Sequence, residues 1–535
     1  MSTLGWILML ISSGLIAGSG VLTGRQIFHW FQLESYQFPG FFRTIRRQGI
    51  GSLWPEILLA VILAGSAMMF RVAGWNNSVL VLIVSAVVFA VSLYIHGILK
   101  KRPSKKKLVM TARMKRLYFI CGVFFFLVLM LANGLTGFSW FQIIAAVFFI
   151  LLPLWFSIGA LLAWPVEKLI SEMYFRDAQR ILQRSEDLIK IGITGSWGKT
   201  SVKFILGSLL SEKYPTLVTP ASYNTPMGVT KVIRTMLEPG HRIFVAEMGA
   251  RHVGDIREMC RLVHPEIGIL TSVGPQHLDT FKTLDRIKKT KYELMDAIPE
   301  DGECFFADDD GIVYELWEKT KKKKHLAGLK ADRDNTWGEN VRVHSSGSRF
   351  TLCHGEERIE CSTELLGELN IRNIILCADV CFALGMTGNE IARGIRKLKG
   401  TEHRLQLKNN QGGITVIDDA FNSNIAGAKQ AFEVLSEFEG KRIVVTPGMV
   451  ELGESEEEMN RQFGAQMADC CDMAILVGEK RSIPIQAGLI SAGFDRKRIR
   501  VVRNLNEAQR ILSEVAGIGD VILFENDLPD NYDEN

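Results

Sequence analysis

The chain of 535 residues lacks most of the features that would mark a secreted, nucleic-acid-binding or metal-clustered protein. Its net charge is only +4, too mild for a nucleic-acid footprint, and its basic residues gather beside apolar runs, which points to a membrane instead. Its nine cysteines include no Cys-x-x-Cys pair and no His partner at zinc spacing, so reduced, buried thiols are expected. The first apolar stretch lacks the basic start of a signal peptide and is followed by further apolar runs, so it is expected to stay in the protein.

Long apolar runs are abundant, and nearly all precede Trp164. A bilayer core needs about 20 apolar residues in a helix. Stretches of that length predict five spans, at 4–22, 53–70, 79–99, 117–135 and 138–164. Lys and Arg in short loops are retained on the cytoplasmic side. The loop with Arg25, Arg43, Arg46 and Arg47 and the loop from Lys100 to Arg116 are therefore expected inside, and the nearly uncharged segments 71–78 and 136–137 outside. The N-terminus then lies outside, and everything after Trp164 lies in the cytoplasm, where ATP is. Spans without a lone mid-span charge, in a chain without a Leu-Ser-Gly-Gly-Gln-type signature, argue against an ATP-driven transporter. Residues 165–190 place Leu169, Met173, Ala178, Ile181 and Leu182 at near-helical spacing among charges, and read as an amphipathic connecting helix.

Ile191-Gly-Ile-Thr-Gly-Ser-Trp-Gly-Lys-Thr-Ser201 has the form of a short apolar strand, a glycine loop and a helix start. Gly195 and Gly198 let backbone N–H groups turn inward around Ser196 and Trp197, the helix adds its positive N-terminus, and Lys199 offers a cation to phosphates. Thr200, followed by Ser201, supplies a hydroxyl suited to magnesium. The strict P-loop fails, because Ile193 stands where its first glycine belongs. Downstream, an apolar strand ends at Glu247, the next leads to His277 in Ser272-Val-Gly-Pro-Gln-His277, and Lys291 follows in Lys288-Lys-Thr-Lys291-Tyr-Glu. Each alone reads as an ordinary solvated or structural residue.

In this order and combination, Thr-Gly-Ser-x-Gly-Lys-Thr-Ser, the strand-end Glu247, His277 and Lys291 resemble the Mur ligase family, which builds peptidoglycan stem peptides. Ala221-Ser-Tyr-Asn224-Thr-Pro-Met-Gly228 is similar to the substrate loop of its D-alanyl-D-alanine-adding branch, MurF. Leu365-Leu-Gly-Glu-Leu-Asn370-Ile-Arg-Asn373, Gly400-Thr-Glu-His-Arg404 and Asp418-Asp419-Ala-Phe-Asn422-Ser-Asn424 follow in family order. After the N-terminal α-helical transmembrane bundle (1–164) and the connecting helix (165–190) read above, the resemblance implies an α/β P-loop central domain (191–402) and a Rossmann-like C-terminal domain (403–535).

It also implies roles. Lys199, Glu247, His277 and Lys291 serve catalysis; Thr200, Glu247, His277 and a carbamylated Lys291 hold Mg²⁺. Gly195 to Ser201, Asn370, Asn373, Arg404 and Asp419 bind ATP, and Asn224, Asn422 and Asn424 bind substrate. The expected activity is ATP-dependent joining of a carboxylate, lipid-linked or on a UDP-linked muropeptide, to an amino acid or dipeptide amine. The chain departs from the pattern where spans replace the UDP-sugar-binding domain. Phe306 stands at a usual Asn, and Glu525-Asn-Asp replaces a Lys-Gly-Ser-Arg segment near the amine. A non-catalytic ATP- or muropeptide-binding membrane scaffold and a polyglutamate-synthase-like ligase are the competing readings.

Overall fold

The structure is a computed structural model that describes residues 3–527 apart from 76, 102–106, 137, 222, 401, 410–411, 421–424 and 451. Its contacts divide the chain into two compact units, with the boundary between Glu172 and Met173.

The first unit is helical: α1 (Thr3–Thr23), α2 (Arg25–Leu33), α3 (Phe38–Gln48), α4 (Trp54–Val72), α5 (Ser78–Lys101), α6 (Ala112–Thr136), α7 (Phe138–Ile150) and α8 (Leu152–Gln183). Five of its helical stretches are long and apolar enough to cross a membrane: Thr3–Thr23, Ile50–Val72, Ser78–Lys101, Ala112–Thr136 and Leu152–Gln183. Four coincide with sequence-predicted spans, and the fifth is corrected. The run 138–164 is two helices that break at Leu151, the second placing Pro153 in its first turn, where a proline's missing N–H breaks no helical bond. Nor does the connecting helix stand alone. It continues α8 through Pro165 as far as Gln183, and Ile189 and Lys190 already belong to a strand.

Inside this unit aromatic rings interlock, Phe28 stacking on Tyr118 at 3.8 Å and meeting Phe156 edge-on at 4.8 Å. Buried serine hydroxyls bond within their own helices, Ser85 and Ser92 donating to the carbonyls one turn back at 2.8 and 2.7 Å. Asn133 of α6 donates to Ser12 and Ser13 of α1, both at 3.3 Å. Glu167 is buried and bound by both arms of Arg116, at 2.6 and 2.8 Å. Large apolar side chains are exposed on these helices, among them Ile83, Val87, Leu127 and Leu131.

The second unit holds two sheets. In the first, β1 (Ile189–Thr194), β2 (Thr216–Val218), β3 (Ile243–Glu247), β4 (Ile267–Leu270), β5 (Glu303–Ala307), β6 (Lys323–Gly328), β7 (Thr336–His344), β8 (Gly347–His354) and β9 (Glu357–Thr363) lie in the order β2-β3-β1-β4-β5-β6-β7-β8-β9. Strands up to β7 are parallel and β7–β9 form an antiparallel meander. The central strands are apolar throughout because helices cover both faces. Around the sheet run α9 (Lys199–Leu210), α10 (Pro226–Met236), α11 (Asp255–Val263), α12 (Leu278–Phe281), α13 (Leu284–Ala297), α14 (Ile312–Lys319) and α15 (Glu368–Ala383). Chain order reverses between β1 and β4, so the loops leaving their carboxyl ends frame a crevice.

The second sheet contains β10 (Gln406–Asn409), β11 (Thr415–Asp419), β12 (Arg442–Thr446), β13 (Met473–Val477), β14 (Ile499–Val502) and β15 (Val521–Glu525), ordered β10-β11-β15-β12-β13-β14. Only β10 runs antiparallel. All nine cysteines are free thiols and eight are buried, as their spacing predicts.

One buried acid sets a pH dependence. Asp379 of α15 is 1% exposed, and its Oδ1 accepts the Thr336 hydroxyl at 2.7 Å. Burial, helped by the charges of Asp334 and Glu303, pushes its carboxyl up to about 7, while the Thr336 bond opposes the shift. The folded state therefore keeps a proton that the unfolded chain releases near its ordinary value, and stability falls as pH rises from there to about 7. Asp379→Asn needs no proton. It is expected to melt above the parent at pH 8, to match it near pH 4, and to flatten the slope between, in thermal scans across that range.

Candidate active site

Gly195 and Gly198 shape the loop between β1 and α9. Gly195 has φ +157° and approaches β4's loop so closely that a Cβ would lie 2.0 Å from Thr271 Oγ1 and 3.0 Å from the Ser272 nitrogen. Gly198, at φ +82°, occupies the left-handed region that costs a side chain energy. The rest of the loop is fastened to the segment after β4. The Ser196 nitrogen donates to the Ser272 carbonyl at 2.9 Å, Ser196 Oγ to the Gly274 carbonyl at 3.0 Å, and the Trp197 nitrogen to Ser272 Oγ at 2.8 Å. Gly195→Ala must push this segment away, and is expected to weaken nucleotide binding at least tenfold in fluorescent-ATP titrations while the helical unit is unaffected.

Lys199 opens α9 and folds back over the loop, donating to the carbonyls of Gly195 at 2.7 Å and Ser196 at 2.9 Å. Burial, with the neighbouring Arg404 charge, pushes its ammonium down to about 8 against the pull of Glu247. Phosphate charge arriving there favours the protonated form, so the loop is poised for an anion. Ser201 follows in the helix's first turn.

Glu247 ends β3 in register with Ile193 and is 1% exposed. Its Oε1 receives the Thr200 hydroxyl and Asn224 Nδ2, each at 3.1 Å, and its Oε2 receives Lys203 Nζ at 3.0 Å. Burial opposes its ionisation, but Lys203 and Lys199 outweigh it and hold the carboxyl below its usual range. Lys203 is fully buried and was missed by the sequence reading. The signal was there, since a Lys between the apolar Val202 and Ile205 on a buried helix face needs a partner.

Lys291 of α13 is 3% exposed, and desolvation, with the charge of Lys199, lowers its ammonium far below the ordinary lysine value. The opposing charges are Asp255, Glu247 and Glu293. Glu293 caps α11 by accepting the Gly254 and Arg257 nitrogens, both at 3.0 Å. His277 stands half-buried at the N-terminus of α12 with φ +53°. Among the described residues no three His, Cys, Asp or Glu side chains converge as a metal cluster. What the site offers a hard cation is oxygen, the hydroxyl of Thr200 beside the carboxylate of Glu247.

The second sheet contributes from across the hinge. Arg404 Nη2 donates to Thr200 Oγ1 at 3.4 Å, and the Leu405 nitrogen donates to Asp419 Oδ1 at 3.1 Å. Burial pushes Asp419 up to about 6, opposed by the Leu405 bond and Arg404. Asp419 stands in register with the fully buried Glu525 on the adjacent parallel strand, and their carboxyls are hydrogen-bonded.

The sequence-derived residues thus separate into three groups. Lys199, Thr200, Asn224, Glu247 and Arg404 are brought together, and a Cβ at Gly198 would lie 3.4 Å from Asn373 Oδ1, so Asn373 backs the phosphate loop. Asn370, in the first turn of α15, donates to the Leu366 carbonyl just ahead of the helix at 2.8 Å. Asn422 and Asn424 lie outside the described residues. Phe306, fully buried in β5, belongs to the apolar core.

Comparison with known proteins places this geometry. Residues 193–381 match the Mur ligase middle domain, and residues 403–525 match the Mur ligase, glutamate ligase domain. The UDP-N-acetylmuramoyl-tripeptide–D-alanyl-D-alanine ligase of Escherichia coli (strain K12) is 30% identical over 319 residues, 58% of this chain and 70% of that protein. Its counterpart in Bacillus subtilis (strain 168) is 26% identical over 338 residues, 63% and 72%. Two solved structures share the fold. MurF from Acinetobacter baumannii has a TM-score of 0.61 at 23% identity, over 66% of this chain and 77% of that one. MurF from Thermotoga maritima in complex with ADP has a TM-score of 0.59 at 24%, over 66% and 80%. The chain belongs to the Mur ligase family: it is an ATP-dependent amino-acid ligase, similar to MurF, in which apolar helices stand in place of the family's first domain.

Proposed function

We propose that this enzyme is anchored in the cytoplasmic membrane by five spans, with its N-terminus outside and its ligase body in the cytoplasm. There it joins the carboxylate of a lipid-linked or UDP-linked muropeptide to an amino acid or dipeptide amine. The observation that carries the reading is the shared Thr200 hydroxyl, which donates to Glu247 and accepts from Arg404 of the other domain. One contact joins the phosphate loop, a buried carboxylate and the hinge.

In the proposed reaction an acceptor carboxylate oxygen attacks the γ-phosphorus of ATP, the bond to the β–γ bridging oxygen breaks, and ADP leaves. The amine nitrogen then attacks the acyl carbon, phosphate departs with its bonding electrons, and the nitrogen loses a proton to give an amide. Two anions must meet in the first step, so fixed positive charge dominates catalysis. Lys199 and the N-terminus of α9 supply it at the phosphates, and Arg404 adds a second cation beside Thr200. Asn224 ties the acceptor loop to Glu247. Domain closure keeps water from the acyl phosphate.

Thr200 and Glu247 would hold Mg²⁺, with His277 and a carbamylated Lys291 completing a second ion, and the metal would supply further neutralisation of phosphate charge. The chemistry of Lys291 fits that modification. A buried amine kept neutral has the free electron pair that carbon dioxide requires, and the carbamate formed is an anionic oxygen ligand.

The lipid-linked acceptor is favoured because apolar helices stand in place of a sugar-gripping domain. Tyr223 on the acceptor loop, Met227 in the first turn of α10 and Val253 on the loop after β3 are exposed apolar side chains. The test uses the full chain in detergent with ATP, lipid-linked and UDP-linked muropeptides and a panel of amines, read by mass spectrometry. A product gaining one amine per ADP released is expected, with kcat/KM at least tenfold higher for the lipid-linked acceptor. Equal use of the UDP-linked form sinks the lipid preference, and no ADP with any pair sinks the ligase reading.

A further inference from the structure

The helix α9 carries two lysines four residues apart, on one face. Lys199 serves the phosphate loop, but Lys203 does not reach it. Its side chain is fully buried, an arrangement lysine adopts only when paired. The ammonium makes two bonds, to Glu247 Oε2 at 3.0 Å and to the Ala221 carbonyl at 2.6 Å, with the Phe204 ring 4.5 Å away. The two acceptors belong to different functional parts. Glu247 is the carboxylate beside Thr200, and Ala221 begins the loop whose Asn224 reaches Glu247 Oε1.

Ala221 itself is held at φ +43°, a left-handed conformation that is strained for an alanine. Such a residue persists only where its surroundings fix it. Lys203 binds its carbonyl, and on the far side of Asn224 the Gly249 nitrogen donates to the Asn224 carbonyl at 2.9 Å. The acceptor loop is therefore bent toward the carboxylate, with Lys203 as its tether to α9 at Ala221 beside the bonds that Tyr223 and Asn224 make.

Resting on the ligase reading above, we propose that Lys203 is a positioning residue that couples the metal-side carboxylate Glu247 to the acceptor loop at Ala221. Because Oε2 is engaged by Lys203, only Oε1 faces Thr200, which fixes the direction in which Glu247 presents charge. Glu247 would hold a divalent cation at Oε1, where Thr200 and Asn224 now donate, and would then share its charge between that ion and the Lys203 ammonium. The ammonium's other acceptor is the Ala221 carbonyl, so its hold would then rest more on the loop. Nucleotide loading thereby orders the acceptor loop before any acceptor arrives.

Hydrogen–deuterium exchange of the full chain in detergent tests this, with ADP in EDTA compared with ADP plus magnesium and nucleotide binding measured in parallel. Peptides covering 219–228 are expected to exchange at least threefold slower with Mg·ADP than with ADP alone. In Lys203→Met and Lys203→Gln the metal-dependent part of that slowing is lost, while nucleotide still binds within about tenfold of the parent. A lysine that only filled the core would shift exchange equally with and without magnesium. Unchanged exchange at 219–228 in the parent while Mg·ADP binds overturns the proposal, as does a metal response retained in either variant. If neither variant folds, the parent comparison alone decides. Failure of ADP to bind at all would instead refute the ligase reading.

Discussion

Lys199→Met is expected to lower ATP-dependent amide formation by about 10²- to 10³-fold, the cost typical of removing one charge-stabilising donor from a transition state. The developing charge lies on the transferring phosphoryl group, and Lys199 is the cation that the phosphate loop folds over itself, through the Gly195 and Ser196 carbonyls. Stability should move the other way. Burial has already pushed the ammonium down to about 8, so at neutral pH the folded enzyme holds a charge that its surroundings disfavour. A lysine depressed on folding contributes a destabilisation that is full below about 8 and fades as pH rises toward the ordinary lysine value. Methionine removes that charge, so the variant melts higher than the parent at pH 7 and the difference shrinks by pH 10. Loss of turnover with a raised melting temperature separates a catalytic role from a structural one. A variant that lost both together would show that Lys199 braces the loop.

Much of this site is legible in the sequence because its chemistry is local. The glycines, Lys199 and Thr200 lie within a few residues of each other, and strand-end positions such as Glu247 follow from apolar runs that stop at a charge. The parts that escaped depend on distant partners. Lys203 reads as one more helical lysine until Glu247, 44 positions on, is folded against it. Asn370 matches a motif, and its amide nitrogen donates to the Leu366 carbonyl just ahead of α15, a bond that the motif does not announce. The fifth span failed for a different reason. Hydropathy sees composition and not chain direction, so a run long enough to cross was scored as one helix although it breaks at Leu151 before Pro153. Pro165, the stronger sequence signal for a boundary, sits inside an unbroken helix.

The Lys203–Glu247 pair should also behave non-additively. Both partners are almost wholly buried, their side chains 0% and 2% exposed, at 3.0 Å. Removing one partner of such a pair leaves the other charge uncompensated in a low dielectric, at a cost of about 3–5 kcal/mol. Lys203→Met and Glu247→Leu are each expected to lose stability on that scale, seen as earlier cleavage in pulse proteolysis across a urea series. The double variant removes both charges of the pair and fills both positions with apolar side chains of similar size. It should recover most of the loss, because desolvation of two ions roughly cancels their attraction. Activity should not recover, since the double variant has lost both the carboxylate beside Thr200 and the hold on Ala221. Stability restored without turnover means that the pair is retained for its position in the reaction. A double variant as unstable as the sum of the singles would mean that the pair, with its bonds to Thr200, Asn224 and Ala221, is a net source of stability.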